Sequence, residues 1–297
     1  MADELHDEPH EHDHDRGLSH DLPTLLTRRR ALQVMGGVGL GAGLLALVGC
    51  SSSSDGAAST ASSTTAGSGA TTTTTGSTST TAATAVDAAS CTPLPEETAG
   101  PYPGDGSNGP DVLGESGVVR SDITTSFAGM SGTAGGVPLT IKMRVLDVAA
   151  GCTPKAGAAV YLWHCTREGG YSLYSRGVTD QNYLRGVQEA DSDGWVTFTS
   201  IVPACYDGRW PHIHFEVYDT LADASSVRNK VATSQMALPK DMCETVYATD
   251  GYEDSVSNLS RVSLTSDMVF RDGFTSQLPT VTGSVADGYT VQMNCPV

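Results

Sequence analysis

In the run Arg209-Trp-Pro-His-Ile-His-Phe215, two histidines stand one residue apart. Side chains alternate faces along a β-strand, so His212 and His214 share a face, and Glu216 and Tyr218 follow on it. Ile213, Phe215 and Val217 make the opposite face apolar. A half-buried strand that gives its inward polar positions to paired imidazoles points to a metal. Tyr206 precedes His212 by six residues, and Tyr171 and Tyr174 lie in Glu168-Gly-Gly-Tyr-Ser-Leu-Tyr174. Two phenolates with two neutral imidazoles form a hard, anionic N2O2 set, which prefers Fe(III) to Zn(II). A bound metal lowers the phenol pKa enough for ionisation near neutral pH. The two negative charges stabilise ferric over ferrous iron, so such a site binds a substrate without needing to cycle to Fe(II).

The elements that must position these donors are short and β-like. Residues 140–145 alternate strictly between apolar and polar or charged side chains, and 158–163, 195–201, 212–218, 231–238 and 289–293 also read as strands. Clusters of Gly, Pro, Asp and Ser separate them. One modest helix is predicted over 239–247, with Asp241 near its start. No GxGxxG, phosphate-binding loop or GxSxG occurs in a supportive context, and no internal repeat is evident. The pattern predicts an all-β sandwich with long irregular loops, preceded by a disordered tether.

The chain has 297 residues, and its N-terminal third reads differently from the rest. Residues 1–20 are acidic and histidine-rich, without apolar periodicity. Arg28, Arg29 and Arg30 then precede an apolar stretch that ends at Leu47-Val-Gly-Cys50. Twin arginines before a modest apolar run read as a Tat-type export signal. The Cys50 context resembles a bacterial lipobox, so cleavage before Cys50 and lipidation of its sulfur are expected. Residues 51–90 are nearly all Ser, Thr, Gly and Ala, too poor in apolar area to offset the entropy of ordering. The expected organisation is therefore a leader and signal over 1–50, a disordered linker over 51–90 and one folded domain over 91–297. The domain would be held by a lipid anchor at the outer face of the cell membrane.

Of eight histidines, His6, His10, His12, His14 and His20 precede the signal, and His164, His212 and His214 follow it. Eight acids and four bases precede Cys50, which leaves 26 acids against 13 bases and a formal charge of −13. An acidic surface argues against nucleic acid and against electrostatic membrane binding. Six cysteines remain beyond Cys50, and an even number in an exported domain suggests three disulfides. Sequence leaves their connectivity open. Cys165 with Cys205 is the expected first pair, because each lies near a proposed ligand. Cys91 with Cys152 and Cys243 with Cys295 would follow.

The segments Gly157-Ala-Ala-Val-Tyr-Leu-Trp163, Gly170-Tyr-Ser172, Tyr183-Leu-Arg-Gly186, Asp193-Gly194, 198–201, Pro203-Ala-Cys-Tyr206 and 209–215 together resemble the intradiol ring-cleavage dioxygenase family. Glu97-Thr-Ala-Gly-Pro-Tyr102 is similar to that family's substrate-side loop. The resemblance runs over roughly 91–250. It implies a non-heme Fe(III) enzyme that cleaves catechol-type diols with O2 to cis,cis-muconate-type products. By position it implies Tyr171 and Tyr206 as tyrosinate ligands and His212 and His214 as histidine ligands. Tyr171 is preferred to Tyr174 because Gly-Gly-Tyr-Ser matches the family motif. Arg209 matches the family's active-site arginine, set to stabilise negative charge on the ring. Its alternative role is a salt bridge to Asp207. Gln235 resembles a glutamine lining the same pocket, and His164 falls where the family has no ligand, so it is expected to be structural.

The chain departs from better-known members. It lacks the long helical N-terminal segment of catechol 1,2-dioxygenases, and only five residues separate Tyr206 from His212, fewer than in protocatechuate enzymes. These features resemble secreted, single-domain actinobacterial relatives. Two other readings compete: a surface lipoprotein that binds ferric catecholates without turnover, and a non-catalytic β-sandwich adhesin on a Ser/Thr stalk. Neither the preferred catechol nor the oligomeric state is encoded in a recognisable motif.

Overall fold

The structure is a computed structural model, and it describes residues 91–297. The leader, the export signal, Cys50 and the linker lie outside the described residues. Among the described residues, nine strands form two sheets. The first sheet contains β1 (Pro138–Asp147), β2 (Thr153–Pro154), β5 (Trp195–Ile201), β8 (Thr280–Ser284) and β9 (Gly288–Pro296). In it β1 pairs antiparallel with β2 and β5 along one edge and parallel with β9 along the other. The second sheet is antiparallel throughout, in the order β4 (Arg185–Glu189), β3 (Ala159–Trp163), β6 (His212–Tyr218), β7 (Lys230–Ala237). The all-β sandwich predicted from the sequence is the observed architecture.

The core follows from alternation. Leu139, Ile141, Met143 and Val145 of β1 point inward, as do Val196 and Phe198 of β5. They meet Val160 and Leu162 of β3 and Ile213, Phe215 and Val217 of β6. Each such side chain, fully removed from water, contributes about 1.5–3 kcal/mol. Lys142 and Arg144 take the outward positions of β1 and sit over the Trp195 ring at 5.2 and 5.7 Å. The apolar face of β6 is thus fixed against the first sheet, which turns His212, His214, Glu216 and Tyr218 to the other side. Helix α1 (Lys240–Tyr247) begins after Pro239 and buries Met242, Cys243, Val246 and Tyr247. A second helix, α2 (Glu253–Leu259), was not legible in the sequence. Among the described residues no helix is long and apolar enough to cross a membrane.

The disulfide expectation is corrected in two of its three pairs. Cys91 and Cys152 are bridged, with Cα atoms 5.8 Å apart. Cys165, Cys205, Cys243 and Cys295 are free and buried. The Cys165 thiol points to the Ala204 carbonyl at 3.7 Å, whereas that of Cys205 points to the Arg209 carbonyl at 3.3 Å. Cys243 and Cys295 belong to the apolar core. These four act as small hydrophobic residues, a role that an even count cannot distinguish from pairing.

Candidate metal centre

Strand β6 presents both histidines on the face turned away from the core. In register, His214 lies between Trp163 of β3 and Gln235 of β7, and His212 lies opposite Ala237. The two Nε2 atoms are 3.0 Å apart. His212 Nδ1 sits 2.5 Å from the Trp210 carbonyl, which holds a proton on Nδ1 and leaves a lone pair on Nε2. Tyr206 Oη lies 3.4 Å from the same Nε2. Tyr171 comes from the loop between β3 and β4, where its amide donates to Ser175 Oγ at 2.9 Å and its carbonyl accepts from the Ser175 amide at 2.9 Å.

The four rings close on one another. Centroid separations are 4.7 Å for His212–His214, 5.6 Å for Tyr206–His212, 5.9 Å for Tyr171–Tyr206 and 6.2 Å for Tyr171–His214. Tyr171 Oη is buried with no hydrogen-bond partner. Tyr174 is different: its hydroxyl accepts from the Gly104 amide and donates to the Asn108 carbonyl, each at 2.9 Å. The geometry therefore separates the two tyrosines that the sequence left as rivals. His164 also stands apart, with Nδ1 on the Cys165 carbonyl at 2.8 Å and Nε2 on Ser200 Oγ at 2.7 Å.

Burial dominates the electrostatics. It raises the phenol pKa of Tyr171 well above its usual value, and neighbouring Tyr206 adds to the effect. Burial pushes Tyr206 up to about 12, against the lowering influence of Arg209. It holds both imidazoles neutral, well below the usual histidine range, with Arg209 acting in the same direction. The cluster is a set of neutral phenols and imidazoles in which Tyr206, His212 and His214 contact one another, while the Tyr171 hydroxyl is left without a hydrogen-bond partner. An unpartnered buried phenol beside two facing imidazole nitrogens costs free energy unless something binds there. No group of three or more His, Cys, Asp or Glu side chains able to hold a metal occurs among the described residues. A centre at this position thus requires the two tyrosines, and the donor set fits a hard trivalent ion.

Arg209 is buried at the rim of this cluster, with Nη1 3.5 Å from His212 Nε2. Its ion pair is with Asp267 at 2.9 Å and not with Asp207, the partner considered from the sequence. Asp207 is exposed and lies 3.3 Å from Arg261 instead. Arg209 Nη2 donates to Gln235 Oε1 at 2.7 Å, and Gln235 Nε2 donates to the Thr98 carbonyl at 2.8 Å. Gln235 therefore joins the arginine to the loop 97–102.

That loop forms a roof. Gly100 adopts φ +70°, and a Cβ there would stand 3.3 Å from His214 Cε1, so both backbone conformation and space favour glycine. Tyr102 packs against Tyr171 and Tyr174, with centroids at 4.9 and 5.3 Å. Arg185, fully buried, clasps the roof to the Tyr171 loop. Its Nη1 donates to the carbonyls of Tyr102 and Pro103, and its Nε and Nη2 donate to the hydroxyl and carbonyl of Ser172, all within 2.8–3.0 Å. Arg185, Trp163, Tyr102 and Asp267 were not singled out as site residues from sequence. Tyr102, Trp163 and Arg185 lie in segments that carried the family resemblance, whereas Asp267 lies in none of them.

Residues 108–221 match the family model described as Dioxygenase. Tyr171, Tyr206, Arg209, His212 and His214 all fall within the matched segment, whereas the roof, Gln235 and Asp267 lie outside it. The chain is 42% identical over 55 residues to a chlorocatechol 1,2-dioxygenase of Rhodococcus opacus, covering 18% of this chain and 21% of that one. It is 40% identical over 53 residues to a catechol 1,2-dioxygenase of Pseudomonas sp. (strain EST1001), covering 18% and 17%. The chain thus spans only about a fifth of the length of these curated relatives. In fold, the chain resembles an intradiol ring-cleavage dioxygenase from Tetranychus urticae. The TM-score is 0.55 at 22% identity, over 70% of this chain and 96% of that one.

Proposed function

We propose that the domain is a non-heme ferric dioxygenase that opens catechol-type diols between their two hydroxyl-bearing carbons. The observation that carries this reading is the convergence of buried Tyr171, half-buried Tyr206 and two neutral histidines at the edge of a buried arginine. Tyr171, Tyr206, His212 and His214 would hold Fe(III). Ferric iron, when bound, supplies Lewis acidity for a chelating diolate and makes the ring reactive towards O2. Tyr206 lies at the rim beside His212, where its oxygen would help hold the ion and could take a proton from a substrate hydroxyl. Arg209 Nη1 faces the same space and stabilises negative charge that develops on the ring. Gln235 holds that arginine and the roof in fixed relation. Gly100 and Tyr102 lie over His214 and Tyr171 on one side of the site.

The test is direct. Purified domain loaded with ferric iron is mixed with catechol in oxygenated buffer, and oxygen uptake and product mass are followed. The expected product carries both atoms of O2 as a cis,cis-muconate. Tight binding of catechol without oxygen consumption would replace this reading with a ferric-catecholate binding protein. A colourless, iron-free domain would remove both. Export through the Tat-type signal and lipid anchoring at Cys50 belong to the same proposal, supported by the order of twin arginines, apolar run, lipobox and tether in the sequence. Cys50→Ala should release the protein from the membrane fraction.

A further inference from the structure

We propose that Asp267 is a positioning residue, which fixes Arg209 so that only its Nη1 edge is presented to the donor cluster. This rests on the dioxygenase reading of that cluster. Asp267 is fully buried, and its two oxygens are divided between two tasks. Oδ1 accepts from the amides of Val269 and Phe270, at 2.8 and 3.2 Å, and so caps the turn that follows. Oδ2 accepts from Arg209 Nε at 2.9 Å and from the Trp210 amide at 2.7 Å. A residue needed only as a cap would use one oxygen. The second grips both the side chain of Arg209 and the backbone immediately after it.

The grip determines what the guanidinium can do. Nε is held by Asp267 and Nη2 by Gln235 Oε1, so the plane of the fork is fixed at two of its three nitrogens. The remaining nitrogen, Nη1, points to His212 Nε2. Because Gln235 continues to the Thr98 carbonyl, the line Asp267–Arg209–Gln235–Thr98 ties a late loop, strand β7 and the roof to one orientation of the arginine. A guanidinium without this anchor keeps its charge but loses its direction, and charge stabilisation falls steeply with misplacement.

The experiment is a double-mutant cycle on the iron-loaded domain with Asp267→Asn, Arg209→Gln and the double variant. Asparagine can still cap the turn through its oxygen, but its amide then faces the two donors that Oδ2 accepted. Two readouts are taken: the dissociation constant of 4-nitrocatechol, from its visible spectrum on the ferric protein, and kcat/KM for catechol. We expect D267N to retain the tyrosinate-to-iron absorption, to lower kcat/KM by about 100-fold and to weaken 4-nitrocatechol by about tenfold. In the R209Q background the Asp267 substitution should add nothing. Additive losses, or a D267N variant that matches the wild type in both readouts, would overturn the proposal. If the wild type binds 4-nitrocatechol yet leaves catechol uncleaved, ring cleavage fails as a reading, and the affinity cycle still decides the role of Asp267. Should D267N not fold, Asp267→Glu keeps the charge and displaces the guanidinium, and the same direction of change is expected.

Discussion

The indole of Trp163 lies flat against the imidazole of His214, with ring centroids 5.0 Å apart and planes within 4°. The stack holds one proposed ligand from below, while Gly100 limits it from above. Trp163 Nε1 has no hydrogen-bond partner, so the stack depends on the aromatic plane and not on the N–H. Trp163→Phe should therefore retain the ferric colour. Trp163→Ala should lose about 3–5 kcal/mol of stability and release iron to a chelator more readily. Urea unfolding and iron analysis after dialysis check both.

The two tyrosine hydroxyls of the loop 171–174 predict opposite spectroscopic results. Tyr174 Oη is consumed by Gly104 and Asn108, so Tyr174→Phe should leave the iron absorption in place and cost about 1 kcal/mol through the lost roof bonds. Tyr171→Phe removes the unpartnered phenol and should abolish much of the band. Tyr206→Phe should shift it to shorter wavelength and slow turnover. An unchanged spectrum and rate in Tyr206→Phe would remove that residue from the ligand set.

His164 sets a pH limit on the fold. Burial lowers its pKa to about 4, partly offset by the Cys165 carbonyl, with Arg185 adding to the lowering. Ser200 Oγ is its other contact. An unfolded histidine titrates near 6.5, so between about 6.5 and 4 the unfolded chain takes up a proton that the fold refuses. Stability present above pH 6.5 should therefore fall as the pH approaches 4, by about 3 kcal/mol for this residue. His212 and His214 are displaced in the same direction and steepen the loss in metal-free protein. Denaturant midpoints compared at pH 7 and pH 4.5 should change less in His164→Gln than in the wild type.

Thiol chemistry separates one disulfide from three. Burial pushes Cys165 and Cys205 up to about 12 and raises Cys243 and Cys295 as well, so none of them offers a thiolate at neutral pH. Iodoacetamide should modify none of the four in the native domain. After denaturation without reductant, mass spectrometry should find those four alkylated and Cys91 and Cys152 untouched. Cys152→Ser opens a bridge between residues 61 apart and should cost about 4 kcal/mol.

The strands that position the site were legible because their alternation is unbroken. Residues 195–201 and 212–218 begin and end where the pattern places them. Strand β4 was not, since Arg185 and Gly186 interrupt any apolar signal. That glycine is imposed by packing: a Cβ would stand 2.6 Å from Ile123 Cγ2, a contact no local pattern announces. Strand β8 reads Thr-Val-Thr-Gly-Ser and pairs on one side only, so its sequence carries little burial pattern. The four residues proposed as donors were named from residue type and order, and the structure brings their rings together. The ion-pair partner of Arg209 could not, because Asp267 lies 58 residues further on in a run of Ser and Thr that reads as an ordinary turn.

Strand β9 enters the first sheet between β1 and β8, parallel to the strand that begins it, and the Pro296 carbonyl accepts from the Leu94 amide just before the roof. During synthesis the middle of this sheet stays empty until residues 288–296 have left the ribosome. The stretch that leads into the roof then lacks its partner at Pro296, whatever has already formed around β3 and β6. Non-local closure of this kind is slow, so the nascent domain must pass through a stage in which the second sheet is made while the first is still open.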